Sequence, residues 1–233
     1  MRLLLLSLLF LLPLAPLPAK ESKPVYLDPA TVDIAILGNP PADGSAETRA
    51  EIETLLAFQQ SRTPAEVARA TAEIDYDPAA FFSGVLDPAW FNAKTLPLTF
   101  ALLEAVKADS KNVTAQGKSL WKRPRPPLQD SRLHPACPLP DSASYPSSHA
   151  ALGITWARIL SEALPDLKNT LLERGTLAGK DRNLLGVHFP SDVAAGQKLG
   201  LVLADRFLAL PAFQADLAKV KTEIEAARPQ PIR

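Results

Sequence analysis

Of the three histidines, His134, His149 and His188, two sit in surroundings that could support chemistry. His188 lies in Asp181-Arg182-Asn183-Leu184-Leu185-Gly186-Val187-His188-Phe189-Pro190-Ser191-Asp192. Pro190 opens a helical run, so Asp192 falls on its first turn while His188 precedes it. A carboxylate at that offset can fold back to accept from one imidazole nitrogen, fixing the tautomer and leaving the other as a nucleophile. The plainer alternative is a helix cap at Ser191 or Asp192 with a structural histidine. His149 follows Ser144-Tyr145-Pro146-Ser147-Ser148 and precedes an apolar helical run. Small polar residues at a helix start leave N–H groups pointing outward, and with the helix dipole these form an anion site. Ser147 can add a hydroxyl donor, and His149 in the first turn is within reach of whatever the anion is attached to. Here the alternative is ordinary serine capping beside a solvated histidine. A third element is basic: Lys118, Lys122, Arg123 and Arg125 fall within eight residues. Such a run is usually a solvated face. At Arg125, however, Pro126 and Pro127 stiffen the backbone, and a guanidinium fork beside a lysine point charge suits oxyanion oxygens.

The elements that must position these groups read as helices. Ile52, Leu55, Leu56 and Phe58 recur at helical spacing from Ala46 onward. Thr63-Pro64-Ala65-Glu66 is a capping box with proline at the first helical position. Residues 20–45 read as an extended lead-in and 77–93 as irregular and aromatic. A helix is expected from Leu96 or Leu98 to Trp121, ended by Pro124, Pro126 and Pro127. Residues 127–145 form a long loop. Further helices are expected over Ser147–Ala163, Leu167–Leu185, Ser191–Leu208 and Ala212–Ala227. With no strand alternation, repeat or internal linker, the reading is all-α, a single-domain helical bundle over residues 20–233.

Composition narrows the partners. The chain has 233 residues, 47% hydrophobic, enough for one real core. Its 25 basic and 25 acidic residues balance, so no global field recruits nucleic acid or an anionic membrane. Arg2, the apolar run Leu3–Leu14 and the exit Ala15-Pro16-Leu17-Pro18-Ala19 describe a cleaved secretory segment over residues 1–19. The run is short and broken by prolines, whereas spanning a bilayer takes roughly 20 apolar residues. A periplasmic or secreted mature protein without membrane attachment is therefore expected. Cys137 is the only cysteine, so no internal disulfide forms, and its proline-rich loop suits a structural thiol better than a catalytic one. No ligand set for a metal is apparent, and no cofactor is expected.

Together these stretches resemble the phosphatidic acid phosphatase type 2 and vanadium haloperoxidase superfamily, whose signature is K-x6-RP, then PSGH, then SR-x5-H-x3-D. Lys118 with Arg125-Pro126 fits the first part, and Pro146-Ser147-Ser148-His149 the second with Ser148 in place of glycine. Asp181-Arg182, His188 and Asp192 fit the third with Asp181 in place of serine. Ser144-Tyr145-Pro146-Ser147, Leu160-Ser161-Glu162, Glu173-Arg174-Gly175 and Pro211-Ala212-Phe213-Gln214 extend the likeness to class A bacterial non-specific acid phosphatases. It covers about Lys118 to Ala227 well and the first hundred residues loosely.

The resemblance implies hydrolysis of small phosphate monoesters through a phosphohistidine, without a metal. Lys118, Arg125 and Arg182 would hold the phosphoryl oxygens, with Ser147 and the Ser148 and His149 N–H groups completing the cradle. His188 would attack phosphorus, Asp192 would orient it, and His149 would serve as acid and then base. Activity would then need His149 protonated and His188 neutral, giving a bell-shaped profile on the acid side of neutrality. Serine at 148 keeps its N–H. Asp181 would repel a phosphate unless it points away or pairs with Arg182 or Lys180. The resemblance further implies that the chain can assemble as a homo-oligomer. Two other readings share the pocket: a vanadate-dependent haloperoxidase, and a non-catalytic periplasmic oxyanion-binding protein, which would need only the basic cradle.

Overall fold

A computed structural model describes residues 23–229; the expected secretory segment at 1–19 lies outside them. Every regular element among the described residues is helical. In chain order these are α1 (Ala46–Ser61), α2 (Pro64–Ala72), the short α3 (Pro78–Phe81), α4 (Pro97–Trp121), the short α5 (Pro126–Gln129), α6 (Ser148–Ala163), α7 (Lys168–Leu184), α8 (Pro190–Ala209) and α9 (Pro211–Ala227). Proline sets many of the starts. Its fixed φ and missing N–H cost nothing in the first turn, and α2, α4, α8 and α9 all begin on one. The Thr63–Glu66 capping box forms in full.

The centre of the bundle is α6. From His149 to Ala157 every residue is buried, as expected of a helix surrounded on all sides. It packs chiefly against α7 and α8, with α4 and α9 closing the other side. Small residues permit the close approach. A Cβ on Gly153 would sit 2.6 Å from the Gly175 carbonyl oxygen of α7, and one on Gly200 of α8 would overlap the Ala151 carbonyl. The start of α6, which carries Ser147 to His149, is thereby held at fixed distances from α7, which carries Arg182, and α8, which carries Asp192.

Two carboxylates tie segments that helix periodicity does not link. Buried Asp109, inside α4, accepts from the N–H groups of Val25 (2.9 Å), Tyr26 (2.8 Å) and Leu27 (2.9 Å). The expected extended lead-in is thus docked, with 3₁₀ turns at Pro29–Thr31 and Ile34–Leu37 and with Leu27 and Val32 in the core. Glu223 of α9 accepts from Leu98 N (2.9 Å) and Thr99 N (2.8 Å), capping α4 where Leu96 offers no side-chain acceptor. The segments expected to be irregular contain the short helices α3 and α5.

Lys122, left-handed at φ 48°, ends α4. After it the chain turns so that Lys122 stays exposed while Arg123 and Arg125 are buried. Among the described residues no helix is long and apolar enough to cross a membrane.

Candidate active site

Lys118, Arg125, Ser148, His149, Arg182 and His188 line one cavity, joined by Ile74, Tyr76, Cys137, Pro138, Pro140, Ser142 and Val187. They come from the end of α4, the turn into α5, the start of α6, the end of α7 and the turn before α8, with the segment after α2 and the loop before α6 completing the wall. Ser147 is not on that wall. Fully buried, its hydroxyl accepts from Ala150 N at 3.3 Å as the α6 N-cap, and its own N–H donates to the Asp192 carbonyl at 3.0 Å. That position joins α6 to α8.

The bonds around His188 assign its tautomer. Nδ1 lies 3.3 Å from Asp192 Oδ2, and Nε2 lies 3.2 Å from Arg125 Nη1. A guanidinium can only donate, so Nε2 carries the lone pair and Nδ1 the proton. Burial, opposed by the bond to Asp192 and aided by Arg125 and Lys118, pushes the imidazole down to about 3. The ring is a neutral base across the ordinary pH range.

Asp192 is more heavily bonded than a helix cap requires. Oδ2 also accepts from Phe189 N (2.8 Å) and from the Ser144 hydroxyl. Oδ1 accepts from Arg123 Nη1 at 2.7 Å. Arg123 in turn reaches Glu51 of α1 at 2.9 Å, while Glu51 accepts from Ser191 N at 2.6 Å. Burial disfavours the Asp192 carboxylate, but the His188, Arg123 and Ser144 interactions outweigh it and hold its pKa at about 2. The carboxylate therefore stays charged and keeps the imidazole oriented.

Carbonyls hold the cations, and one acid, Glu73, lies beside Arg182. Lys118 Nζ donates to Ala143 O at 2.5 Å, and burial, reinforced by Arg125, pushes its ammonium down to about 7. Arg125 donates to Ser142 O (2.8 Å) and Val187 O (2.7 Å). Arg182 donates to Ala70 O, lies 3.7 Å from Glu73 Oε2, and has no hydrogen-bond partner for its buried Nε among the described residues. Such concentrated, incompletely neutralised positive charge is a site for an anion.

His149 is buried, and its Nε2 donates to the Glu73 carbonyl at 3.2 Å. Desolvation first, then Arg182 and His188, hold its pKa well below the ordinary value. A protonated His149 is thus disfavoured until an anion enters. The falling, alkaline-side limb that the sequence reading assigns to loss of this ring's proton therefore belongs to the anion-bound site rather than the anion-free one.

Asp181 points away from the cavity, but to neither expected partner. Its carboxylate takes a two-pronged bond from Arg69 of α2, at 2.7 and 3.2 Å. Cys137 is half-buried on the cavity wall, and burial raises its pKa, leaving a thiol rather than a thiolate. Among the described residues no group of three or more His, Cys, Asp and Glu side chains could hold a metal ion.

Sequence reading gave no role to Arg123, Glu51, Glu73, Tyr76 or Arg69. Arg123 carried a signal, since it lies in the basic run; the others reach the site only through the packing of α1 and α2.

Comparison with known proteins agrees with this architecture. The model of the PAP2 superfamily matches residues 94–214. A protein named non-specific acid phosphatase from Salmonella typhimurium is 37% identical over 153 residues, 63% of this chain and 60% of that protein. One named acid phosphatase from Zymomonas mobilis is 28% identical over 203 residues, 82% of this chain and 75% of that protein. The chain thus spans about 60% of the length of the Salmonella relatives it matches. Two solved structures share the fold. A bacterial vanadium-dependent iodoperoxidase aligns at TM-score 0.55 and 16% identity, over 74% of this chain and 52% of that one. A transmembrane PAP2-type phosphatidylglycerolphosphate phosphatase from Bacillus subtilis aligns at 0.51 and 20%, over 80% of this chain and 92% of that one. With a family match across more than half its length and a helical core of the same kind, the chain belongs to the PAP2 superfamily.

Proposed function

We propose that this protein is an acid phosphatase that hydrolyses phosphate monoesters through a phosphohistidine on His188, acting after export and removal of about residues 1–19. The observation that carries the reading is the His188 ring, with its lone pair at Nε2 facing a cavity lined by Lys118, Arg125 and Arg182 and its proton at Nδ1 facing Asp192.

Lys118, Arg125 and Arg182 neutralise the phosphoryl oxygens, the largest requirement in phosphoryl transfer. The Ser148 and His149 N–H groups, in the first turn of α6, add donors. His188 Nε2 attacks phosphorus as the ester P–O bond breaks. The bond to Asp192 stabilises the positive charge that develops on the ring. A substrate dianion beside His149 opposes the desolvation that keeps that ring neutral, so proton and substrate bind together. His149 gives its proton to the departing alkoxide. Water then attacks the phosphohistidine, His149 takes its proton, the P–N bond breaks, and inorganic phosphate leaves. The chain's own cations carry the charge neutralisation, so activity should persist in EDTA.

Release of p-nitrophenol from p-nitrophenyl phosphate in EDTA, with inhibition by vanadate, tests the reading. His188→Ala should abolish turnover of every ester. His149→Ala should cost an alkyl phosphate about 100-fold or more and p-nitrophenyl phosphate far less, because a good leaving group needs no proton. Phosphate binding without turnover would instead indicate an oxyanion-binding protein.

A further inference from the structure

Tyr76 follows α2 in a left-handed conformation, φ 58°, that residues other than glycine rarely adopt. Held that way, its side chain enters the cavity beside the proposed phosphate ligands. The ring stacks on His149, with centroids 3.9 Å apart and planes 28° from parallel, and Lys111 Nζ sits 4.0 Å from the same ring centroid. His149 and Lys111 together occupy the π-surface around the ring centroid, so its hydroxyl edge is what it presents to a ligand. That hydroxyl is close to the Ser148 side chain and within the fields of Arg125 and Arg182.

We infer that Tyr76 is a further catalytic residue, whose phenolic O–H donates a hydrogen bond to an oxygen of the bound phosphoryl group. The role rests on the phosphatase reading for its substrate, but needs only a tetrahedral oxyanion in the cavity. Lys118, Arg125 and Arg182 approach that anion as cations; Tyr76 adds a neutral donor from the α2 side, next to the acid–base histidine. Burial raises the phenol to about 12, so the proton is present throughout the working range.

Tyr76→Phe keeps the ring against His149 and Lys111 and removes only the donor. A hydrogen bond to a charged acceptor corresponds to about tenfold to 100-fold in affinity. Tyr76→Phe should raise the competitive Ki of inorganic phosphate by at least about tenfold and lower kcat/KM for p-nitrophenyl phosphate similarly. The midpoints of the pH profile should not move, because the stacking partner of His149 is intact. Tyr76→Leu, a second donor-free variant, should lose phosphate affinity to the same degree. Titration calorimetry with inorganic phosphate reads this term without turnover, separating it from any failure of the phosphatase reading. Phosphate affinity within twofold of wild type in either folded variant would overturn the inference.

Discussion

Lys118 makes the alkaline side of the activity profile predictable. Its ammonium ordinarily titrates at 10.5 and is pushed down to about 7 in the anion-free protein, by burial first and by Arg125 second. At about 1.4 kcal/mol per pH unit, that shift corresponds to roughly 5 kcal/mol against the charged form. The folded pKa lies below the unfolded one, so between about 7 and 10.5 the unfolded chain binds the extra proton. Stability should therefore be lowest, on account of this group, below pH 7 and should rise with pH through that window. Substrate affinity runs the opposite way. A monoester is already a dianion above about pH 6, so above pH 7 each further unit should remove about tenfold of the charged Lys118 and of kcat/KM. His149 cannot supply this limb in kcat/KM, which reports the free enzyme, because its free-enzyme pKa is held well below the ordinary value. Lys118→Arg replaces the titrating group with one that stays charged. Its planar fork fits a point-charge position poorly, so kcat/KM at pH 6 should fall by about tenfold. Between pH 7 and 9, however, the ratio of variant to wild type should rise by about 50-fold as the wild type loses its proton. Profiles of kcat/KM from pH 4 to 9.5 would read both effects. An alkaline limb still near pH 7 in Lys118→Arg would refute the assignment.

Other perturbations have defined outcomes. Arg123→Met leaves buried Glu51 and Asp192 without their shared cation and should cost about 3–5 kcal/mol of stability in urea unfolding, with kcat reduced as Asp192 loses its support. Gly200→Ala forces a methyl group onto the Ala151 carbonyl, so the α6–α8 contact must open. A cost of about 1–3 kcal/mol is expected, with a lowered kcat at unchanged substrate range, since Ser147–His149 and His188–Asp192 move apart together.

Much of this arrangement was legible before the fold was known, because local signals set it. Prolines at helix starts and the Thr63 capping box placed the element boundaries: Ser191–Leu208 was expected and Pro190–Ala209 is observed. The offset from His188 to Asp192 correctly brought the two side chains within 3.3 Å. Tertiary pairing was not legible. Nothing local shows that Asp181 meets Arg69, that Asp109 clasps the lead-in, or that Arg123 turns inward while neighbouring Lys122 stays in solvent. The segment Glu73–Tyr76 reads as an ordinary helix end, yet it supplies both the carbonyl and the aromatic ring that hold His149. Ser147 shows the same limit: the sequence marks it as a helix start, but that its N–H joins α6 to the Asp192 carbonyl of α8 follows only from packing.

The nucleophile can be tested most directly by quenching the protein in alkali during turnover of a phosphorus-labelled aryl phosphate and mapping the label by mass spectrometry. A phosphoramidate bond on Nε2 of His188, stable in alkali, labile in acid and absent from His188→Ala, is the expected product. A protein that turns over the ester while carrying label on another residue, or none under conditions where hydrolysis of the intermediate is slow, would contradict the account.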